Sequence, residues 1–153
     1  MENTETKQNP TPGVIIHNQY IKDLSLEIPH APQIFKNLDV QPQMKIDLNI
    51  EANPIEGNTF EVSLNFRIDG DVKEEKFFIL EMKYSGIITV NVPDEHKEPV
   101  LMIEAPHLLF PYARQAISSA LFNGGLPPLM LNPVDFVGMY QARRQAAQKP
   151  VKQ

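Results

Sequence analysis

The sequence contains no cysteine, and it has no apolar run close to the ~20 residues that a membrane-spanning helix needs. The first absence excludes disulfides and thiolate metal sites, and the second predicts no direct membrane insertion. The N-terminal segment MENTETKQNPTPG is polar and acidic, which argues against a signal peptide. We therefore expect a cytoplasmic protein.

Basic residues are fewer than acidic ones. The 153 residues carry a formal net charge of −5, which disfavours a nucleic-acid partner and favours a basic protein partner. This length suits one domain with its own core. The 14 prolines cluster at the chain ends and between candidate elements, where they interrupt regular structure.

Residues that could carry catalysis lack the required context. Ser118-Ser119 has no strained elbow or flanking glycines, and Gly124-Gly125 lacks the rest of a phosphate-binding loop. The histidines show no metal-ligand spacing; they are His17, His30, His96 and His107. We predict a protein that is not an enzyme and that has no metal and no cofactor.

Four segments alternate apolar and polar residues as strands do, and they cover residues 14–28, 44–51, 60–69 and 76–90. The pattern predicts turns at Pro54–Asn58 and at Asp69-Gly70, and a bulge at Gly86. The apolar face expected for the first strand comprises Val14, Ile16, Tyr20, Leu24, Leu26 and Ile28. Residues 93–105 read as a loop.

Two helices are predicted in the last third of the chain. The first includes Pro111 in its opening turn and ends at Gly124-Gly125, and the second starts from an N-cap at Asn132. Strands followed by helices predict an α+β fold. We expect a four-stranded antiparallel sheet, a meander plus a Greek-key-like crossover, with two C-terminal helices on one face.

The domain boundaries follow from composition. Residues 1–12 are polar, contain two prolines and lack periodicity, which predicts a disordered tail. Residues 13–141 form the expected folded domain, and residues 142–153 a flexible C-terminal tail. Small apolar residues on the first helix predict a close oligomer contact; they are Ala113, Ala116, Ile117 and Ala120.

An outward-facing set forms the first candidate site. Period-two geometry places Asp23 and Glu27 on the solvent face of the first strand, and Ile79 and Glu81 on that of the fourth. If these strands are neighbours, the four residues form an acidic patch with an apolar centre. An ordinary solvated sheet face would give the same pattern. Phe77, which the alternation also turns outward, favours a contact surface.

The second candidate is the long connection at residues 29–42, which is rich in both proline and apolar residues. It could fold its side chains onto the core, or it could form one wall of an apolar groove. The residues predicted to line such a groove come from this connection, the second strand and the second helix: Ile34, Phe35, Leu38, Val40, Met44, Ile46, Leu48, Phe136, Met139 and Tyr140.

Three stretches resemble the SecB protein-export chaperone family over about residues 17–141. They are LLFPYAR with its spacing to NPVDF, QYIKDLSLEIPHAPQIF, and EEKFFILEMKYSGI. The resemblance implies a homotetramer, a dimer of dimers, that acts as an ATP-independent holdase. It implies binding of unfolded precursor proteins in the bacterial cytosol and their delivery to the SecA translocase ATPase.

The resemblance also implies a role for the outward-facing set. Asp23, Glu27, Ile79 and Glu81 match family positions that dock the C-terminal zinc-binding segment of SecA. Residues 142–153 differ from the acidic tail of well-known members, because this chain ends basic. Any contact that needs an acidic tail is therefore not expected here.

Two alternatives remain at the level of sequence. One is an oligomeric ligand-binding domain without a client role, whose groove would hold one preferred small apolar ligand. The other is a SecB-like chaperone dedicated to a single partner such as an antitoxin. A general chaperone should bind several unrelated unfolded proteins and ignore their folded forms, whereas neither alternative should.

Overall fold

The computed structural model describes residues 13–37, 39–127 and 129–148. In these residues the strands are β1 (Val14–Glu27), β2 (Gln43–Glu56), β3 (Thr59–Val72) and β4 (Glu75–Val90). A 3₁₀-helix, Gln33–Asn37, lies between β1 and β2. The helices are α1 (Asp94–Pro99), α2 (Ala105–Asn123) and α3 (Phe136–Gln148), with a π-helical turn, Val100–Glu104, joining α1 to α2. The predicted α+β class is confirmed.

The four strands form one antiparallel sheet in the order β1-β4-β3-β2. Strands β2, β3 and β4 pair consecutively as a meander, and residues 28–42 carry the chain across so that β1 pairs with β4. The predicted crossover is therefore confirmed. Helix α2 packs on one face of the sheet, and the opposite face carries most of the charged side chains.

The predicted turn at Asp69-Gly70 is wrong. Strand β3 continues to Val72, and a two-residue turn at Lys73-Glu74 leads into β4, with φ values of 48° and 66°. Positive φ at both positions is the geometry of a type I′ hairpin turn, which the sequence did not indicate because glycine and asparagine are absent there. The first hairpin turn is likewise shorter than predicted, since β2 extends to Glu56 and turns at Gly57-Asn58.

Gly70 is needed for packing rather than for turning. A Cβ at this position would lie 2.4 Å from the Cε1 atom of Phe78, whose side chain is buried on the adjacent strand. Glycine inside a strand often marks such a close approach. The absence of a side chain at Gly70 therefore makes room for one of the largest residues of the core.

Strand β4 buries two consecutive aromatic residues, contrary to the predicted alternation. Gly70 pairs with Phe78 and Asp71 with Lys76, so Phe77 is an extra residue in a β-bulge. Phe77 is only 3% exposed, and its ring contacts Phe78 at a centroid distance of 6.2 Å. The prediction that Phe77 faces solvent is wrong because the bulge shifts the side-chain alternation by one residue.

Strand β1 contains two irregularities of the same kind. The register with β4 shifts at His17 and again at Lys22, so the residues between them face opposite to a regular alternation. Tyr20 therefore lies on the polar face, where its hydroxyl donates to Glu61, instead of on the predicted apolar face. The bulge predicted at Gly86 is absent from β4; a Cβ at Gly86 would lie 2.9 Å from Leu109 on α2.

The predicted loop at residues 93–105 is helical, so Pro111 lies inside α2 rather than in its first turn. The prolines in this segment suggested a loop because proline destabilises a helix interior. The segment is helical nevertheless, and its π-helical turn buries apolar side chains. One stripe of α2 is buried within the chain; it comprises Ala105, Leu109, Ala113, Ile117 and Leu121.

Helix α2 ends in a Schellman motif. The N–H of Leu126 donates to the carbonyl of Leu121 at 2.9 Å, and the N–H of Gly125 donates to Phe122 at 3.1 Å. Gly125 has a φ of 78°, so the predicted glycine stop is confirmed. The predicted N-cap at Asn132 is wrong for α3, because the Asp135 carboxylate accepts the N–H of Gly138 at 3.0 Å.

The predicted disordered tail at residues 1–12 lies outside the described residues. At the other end, α3 continues to Gln148, so the flexible tail predicted from residue 142 is helical over its first seven residues, 142–148. Residues 149–153 lie outside the described part of the chain.

We predict that Gly70→Ala lowers the free energy of unfolding by about 1–3 kcal/mol, the cost of overpacking a dense core. The added Cβ would overlap the Phe78 ring, which is 1% exposed, so the ring would have to leave its packed position. Urea unfolding measures the change. Gly13→Ala is the matched control, because its added Cβ would come no closer than 3.4 Å to Val92. Equal midpoints for Gly70→Ala and the unmodified protein would contradict the packing argument.

Candidate functional site

The polar face of the sheet brings the outward-facing set together. Glu27 and Ile79 are direct partners in the β1–β4 register, and Ser25 pairs with Glu81, which places Glu81 diagonal to both Asp23 and Glu27. The three carboxylate residues are exposed, and Ile79 is half-buried among them. The structure therefore joins all four residues in one surface, which we call the docking face.

An arginine missed by the sequence analysis neutralises part of this surface. Arg67 of β3 contacts Glu81 at 2.6 Å through Nη1 and Asp69 at 3.2 Å through Nε. Burial alone would raise the pKa of Asp69, but hydrogen bonds from Arg67 and Lys76 outweigh it and lower that pKa. The pairing of β3 with β4 would have revealed this ion pair, because Arg67 lies directly opposite Glu81.

A second cluster lies further along the same face. Lys22 contacts the Glu61 carboxylate at 2.8 Å, and the Tyr20 hydroxyl donates to the same carboxylate. Hydrogen bonds from Lys22 and Tyr20 lower the pKa of Glu61. Partial burial, together with the hydrogen bond to this carboxylate, raises the pKa of Tyr20 to about 12. The phenol is therefore a fixed hydrogen-bond donor at neutral pH.

Between these clusters the face is concave. A shallow depression of about 510 Å³ crosses all four strands. Asp23 and Glu81 lie at one side of it, Asp47 and Glu51 at the other, and Lys83 contacts Glu51 at 3.2 Å. Asp47 was not among the predicted site residues, although it belongs to the polar alternation of β2. The surface thus carries acidic rims around a centre that contains the cations of Arg67 and Lys83.

An apolar groove of about 330 Å³ lies on the other side of the sheet, at one end. Its walls are the end of the crossover, the start of β2, the aromatic pair of β4 and the loop after α2. The lining residues are Val40, Gln41, Pro42, Met44, Phe77, Phe78, Leu126, Pro127 and Leu129.

Two contacts hold the groove in place. The Ser118 hydroxyl of α2 donates to the carbonyl of Leu129 at 2.7 Å, which ties one wall to the helix. The half-buried ring of Phe35 meets Phe77 edge-on at a centroid distance of 6.1 Å, which ties the crossover to β4. Met44 and Val40 remain 36% and 37% exposed, so the groove offers apolar surface to a ligand.

The structure places only part of the predicted groove residues at this cavity. Val40 and Met44 line it and Phe35 supports it, whereas Leu38 lies outside the described residues. The other predicted residues do not line this groove. Ile34, Phe136 and Tyr140 are buried in the core, and Ile46, Leu48 and Met139 lie outside the cavity.

Residues Phe77, Leu126 and Leu129 were missed as groove residues. Gly70 lies opposite the bulge that turns Phe77 inward, and the bulge was missed because Gly70 was interpreted as part of a turn. Leu126 follows the glycine stop and is the hydrophobic position of the Schellman motif, which was the one available indication.

The predicted oligomer contact needs correction. Ala113 and Ile117 are fully buried within this chain, which leaves them no surface for another protomer, whereas Ala116 and Ala120 are partly exposed. The exposed stripe of α2 carries larger apolar residues at helical spacing: Leu108, Tyr112 and Phe122 are 44%, 56% and 70% exposed. On the edge strand β1, two apolar residues are also exposed, Ile21 and Leu24.

The described residues contain no group of three His, Cys, Asp or Glu side chains that could hold a metal ion. The His17 ring lies 2.7 Å from the hydroxyl of Thr89, and His107 meets Phe136 edge-on at 6.3 Å between centroids. Among the helices that the structure describes, none has both the length and the apolar character needed to cross a membrane.

The fold is similar to that of a solved SecB-like chaperone from Mycobacterium tuberculosis, in complex with a ChAD peptide from the HigA1 antitoxin. The TM-score is 0.61 at 13% sequence identity, and the match covers 79% of this chain and 90% of that one. This likeness supports the four-stranded sheet with C-terminal helices as a SecB-like fold.

Sequence comparison gives a closer match. The model of the family described as preprotein translocase subunit SecB matches residues 7–147. The protein-export protein SecB of Rhodospirillum rubrum is 49% identical, covering 92% of this chain and 91% of the relative. The protein-export protein SecB of Granulibacter bethesdensis is 42% identical, with coverages of 97% and 92%. With matches of this identity over nearly its whole length, the chain belongs to the SecB family of protein-export chaperones.

Proposed function

We propose that this protein holds unfolded precursor proteins in its apolar groove and delivers them to SecA through the docking face. A chaperone role in protein export follows from its family membership. The proposed roles of the groove and the docking face rest on one observation: the two surfaces lie on opposite faces of one sheet. Both surfaces use β4: Phe77 and Phe78 line the groove, while Ile79 and Glu81 belong to the docking face.

The groove suits a sequence-tolerant ligand. Its walls are mostly apolar, so an extended client gains about 25 cal/mol for each Å² of apolar surface that leaves water. Methionine and aromatic side chains adapt to differently shaped clients. A folded protein has already buried such segments, so the groove should discriminate unfolded from folded clients. Binding of this kind requires neither a cofactor nor ATP.

The docking face suits a basic partner. The half-buried Ile79 lies opposite Glu27 and two residues from Glu81, and Asp23 extends the acidic surface along β1. A cationic segment with one apolar side chain would complement both features. The C-terminal zinc-binding segment of SecA is the partner that we propose. Charge complementarity of this kind steers the encounter and selects the partner more than it adds affinity.

We further propose a homotetramer, a dimer of dimers, in the bacterial cytoplasm. Strand β1 is an edge strand of 14 residues, and an uncovered edge of this length invites uncontrolled pairing. The exposed stripe of α2 offers the second contact. Several grooves in one assembly would let weak local contacts add along one long client.

We predict that Glu81→Lys weakens docking of the isolated SecA segment roughly tenfold or more, because like charges placed together at an interface are strongly unfavourable. Glu98→Lys, on the exposed surface of α1, changes the net charge equally and serves as the control. Titration calorimetry at low salt measures both variants. Unchanged affinity of Glu81→Lys would remove the acidic residues from the docking mechanism.

For the groove, we predict that Val40→Ser combined with Met44→Ser raises the dissociation constants of several unfolded clients about tenfold, since each side chain loses part of its apolar contact area. Ile55→Ser is the matched control, because Ile55 is a 55% exposed apolar residue at the far end of β2. Competition with a fluorescent unfolded client measures the constants. If the double substitution leaves the dissociation constants of all clients unchanged and weakens only the binding of one small apolar ligand, the proposed role of the groove in client binding is wrong.

For the assembly, we predict that Tyr112→Glu combined with Phe122→Glu gives dimers or monomers in place of tetramers. Charges on the exposed stripe of α2 would have to be desolvated in a helix-to-helix contact. Met130→Glu is the control, because Met130 is 78% exposed in the loop between α2 and α3. Native mass measurement at micromolar concentration determines the oligomeric state of each variant. A monomer of the unmodified protein would contradict the proposed tetramer.

A further inference from the structure

Arg67 of β3 borders the docking face on the side of Glu81. In the sheet register it lies directly between Glu81 of β4 and Asp47 of β2. Its guanidinium turns toward β4, where Nη1 donates to Glu81 at 2.6 Å. On its own strand, Nε and Nη2 donate to the two oxygens of Asp69 at 3.2 and 3.4 Å. One cation thus bridges two carboxylates, with a third in register on the other side.

The two carboxylates hold Arg67 unequally. Asp69 is only 7% exposed and is fixed further by Lys76 at 3.2 Å, so it anchors the guanidinium. The Glu81 side chain is 53% exposed. The hydrogen bond with Asp69 is the main cause that raises the pKa of Arg67, and Glu81 contributes less. The contact with Glu81 is therefore the one that a competing cation can replace.

The other two docking carboxylates differ from Glu81. Among the residues that the structure describes, no lysine or arginine lies within 4.0 Å of the carboxylates of Asp23 or Glu27. A basic partner can approach these two directly, but at Glu81 it meets a carboxylate that already has a counter-ion.

We propose that Arg67 limits the affinity of the docking face, as a built-in counter-ion that an incoming basic partner must displace from Glu81. This inference rests on the proposed docking function. A partner that places a cation at Glu81 releases the Arg67 guanidinium from that carboxylate. The guanidinium keeps its hydrogen bonds to Asp69 and can turn toward Asp47. A partner without a cation at that point leaves the internal pair intact and gains nothing from Glu81. The pair thus lowers the affinity for a basic segment, because each docking event must first break the contact between Arg67 and Glu81.

The test uses the intact protein and the isolated basic zinc-binding segment in titration calorimetry. We expect Arg67→Gln to bind about two- to five-fold more tightly, the range that exposed ion pairs span. In a Glu81→Gln background the same substitution should give no gain. Lys83→Gln is the matched control, because Lys83 carries the same charge on the same face but pairs with Glu51. Its effect should be independent of Glu81.

Each outcome decides the proposal. Weaker or unchanged binding of Arg67→Gln, or a gain that persists without the Glu81 carboxylate, overturns it. Arg67→Lys, which keeps the charge and loses the fork, should bind with intermediate affinity and provides a second variant if Arg67→Gln is unstable. If Glu81→Lys weakens docking but Arg67→Gln does not tighten it, only this inference fails. If the unmodified protein does not bind the segment, the docking proposal fails with it.

Discussion

The structure depends on the packing of α2 against one face of a sheet whose two faces differ in polarity. The buried stripe of α2 covers the middle strands, and the missing side chain at Gly86 allows Leu109 to approach the sheet closely. Because the helices occupy only this face, the other stays open to solvent with its carboxylates in register. The groove forms at the end of the covered face, where the loop after α2 meets β4.

The bulge at Phe77 links the two surfaces. Without it, Phe77 would point to the polar face, and the groove would lose one of its aromatic walls. Two residues later the alternation is regular again, and Ile79 faces the carboxylates. Gly70 makes the arrangement sterically possible by leaving space for Phe78. A local irregularity in one strand thus places an apolar groove and a charged face within three residues of each other.

The sequence predicted the parts of the fold that follow from regular periodicity. Four strands, the crossover and the glycine stop at Gly125 are examples. It failed where tertiary packing overrides a local preference: the helical segment through Pro99, the type I′ turn at Lys73-Glu74 and the bulge at Phe77. The docking residues were placed together correctly because they lie in regular stretches. Most of the groove lining was missed, because a bulge in β4 and the loop after α2 form its walls.

In the proposed mechanism, client and translocase bind separate surfaces of one molecule. Titrating the SecA segment into the protein, first alone and then saturated with an unfolded client, tests this directly. We predict a ternary complex by native mass measurement, with a dissociation constant for the segment that differs by less than about twofold between the two titrations, as expected for binding sites without shared contacts. Mutually exclusive binding of the client and the segment would contradict it.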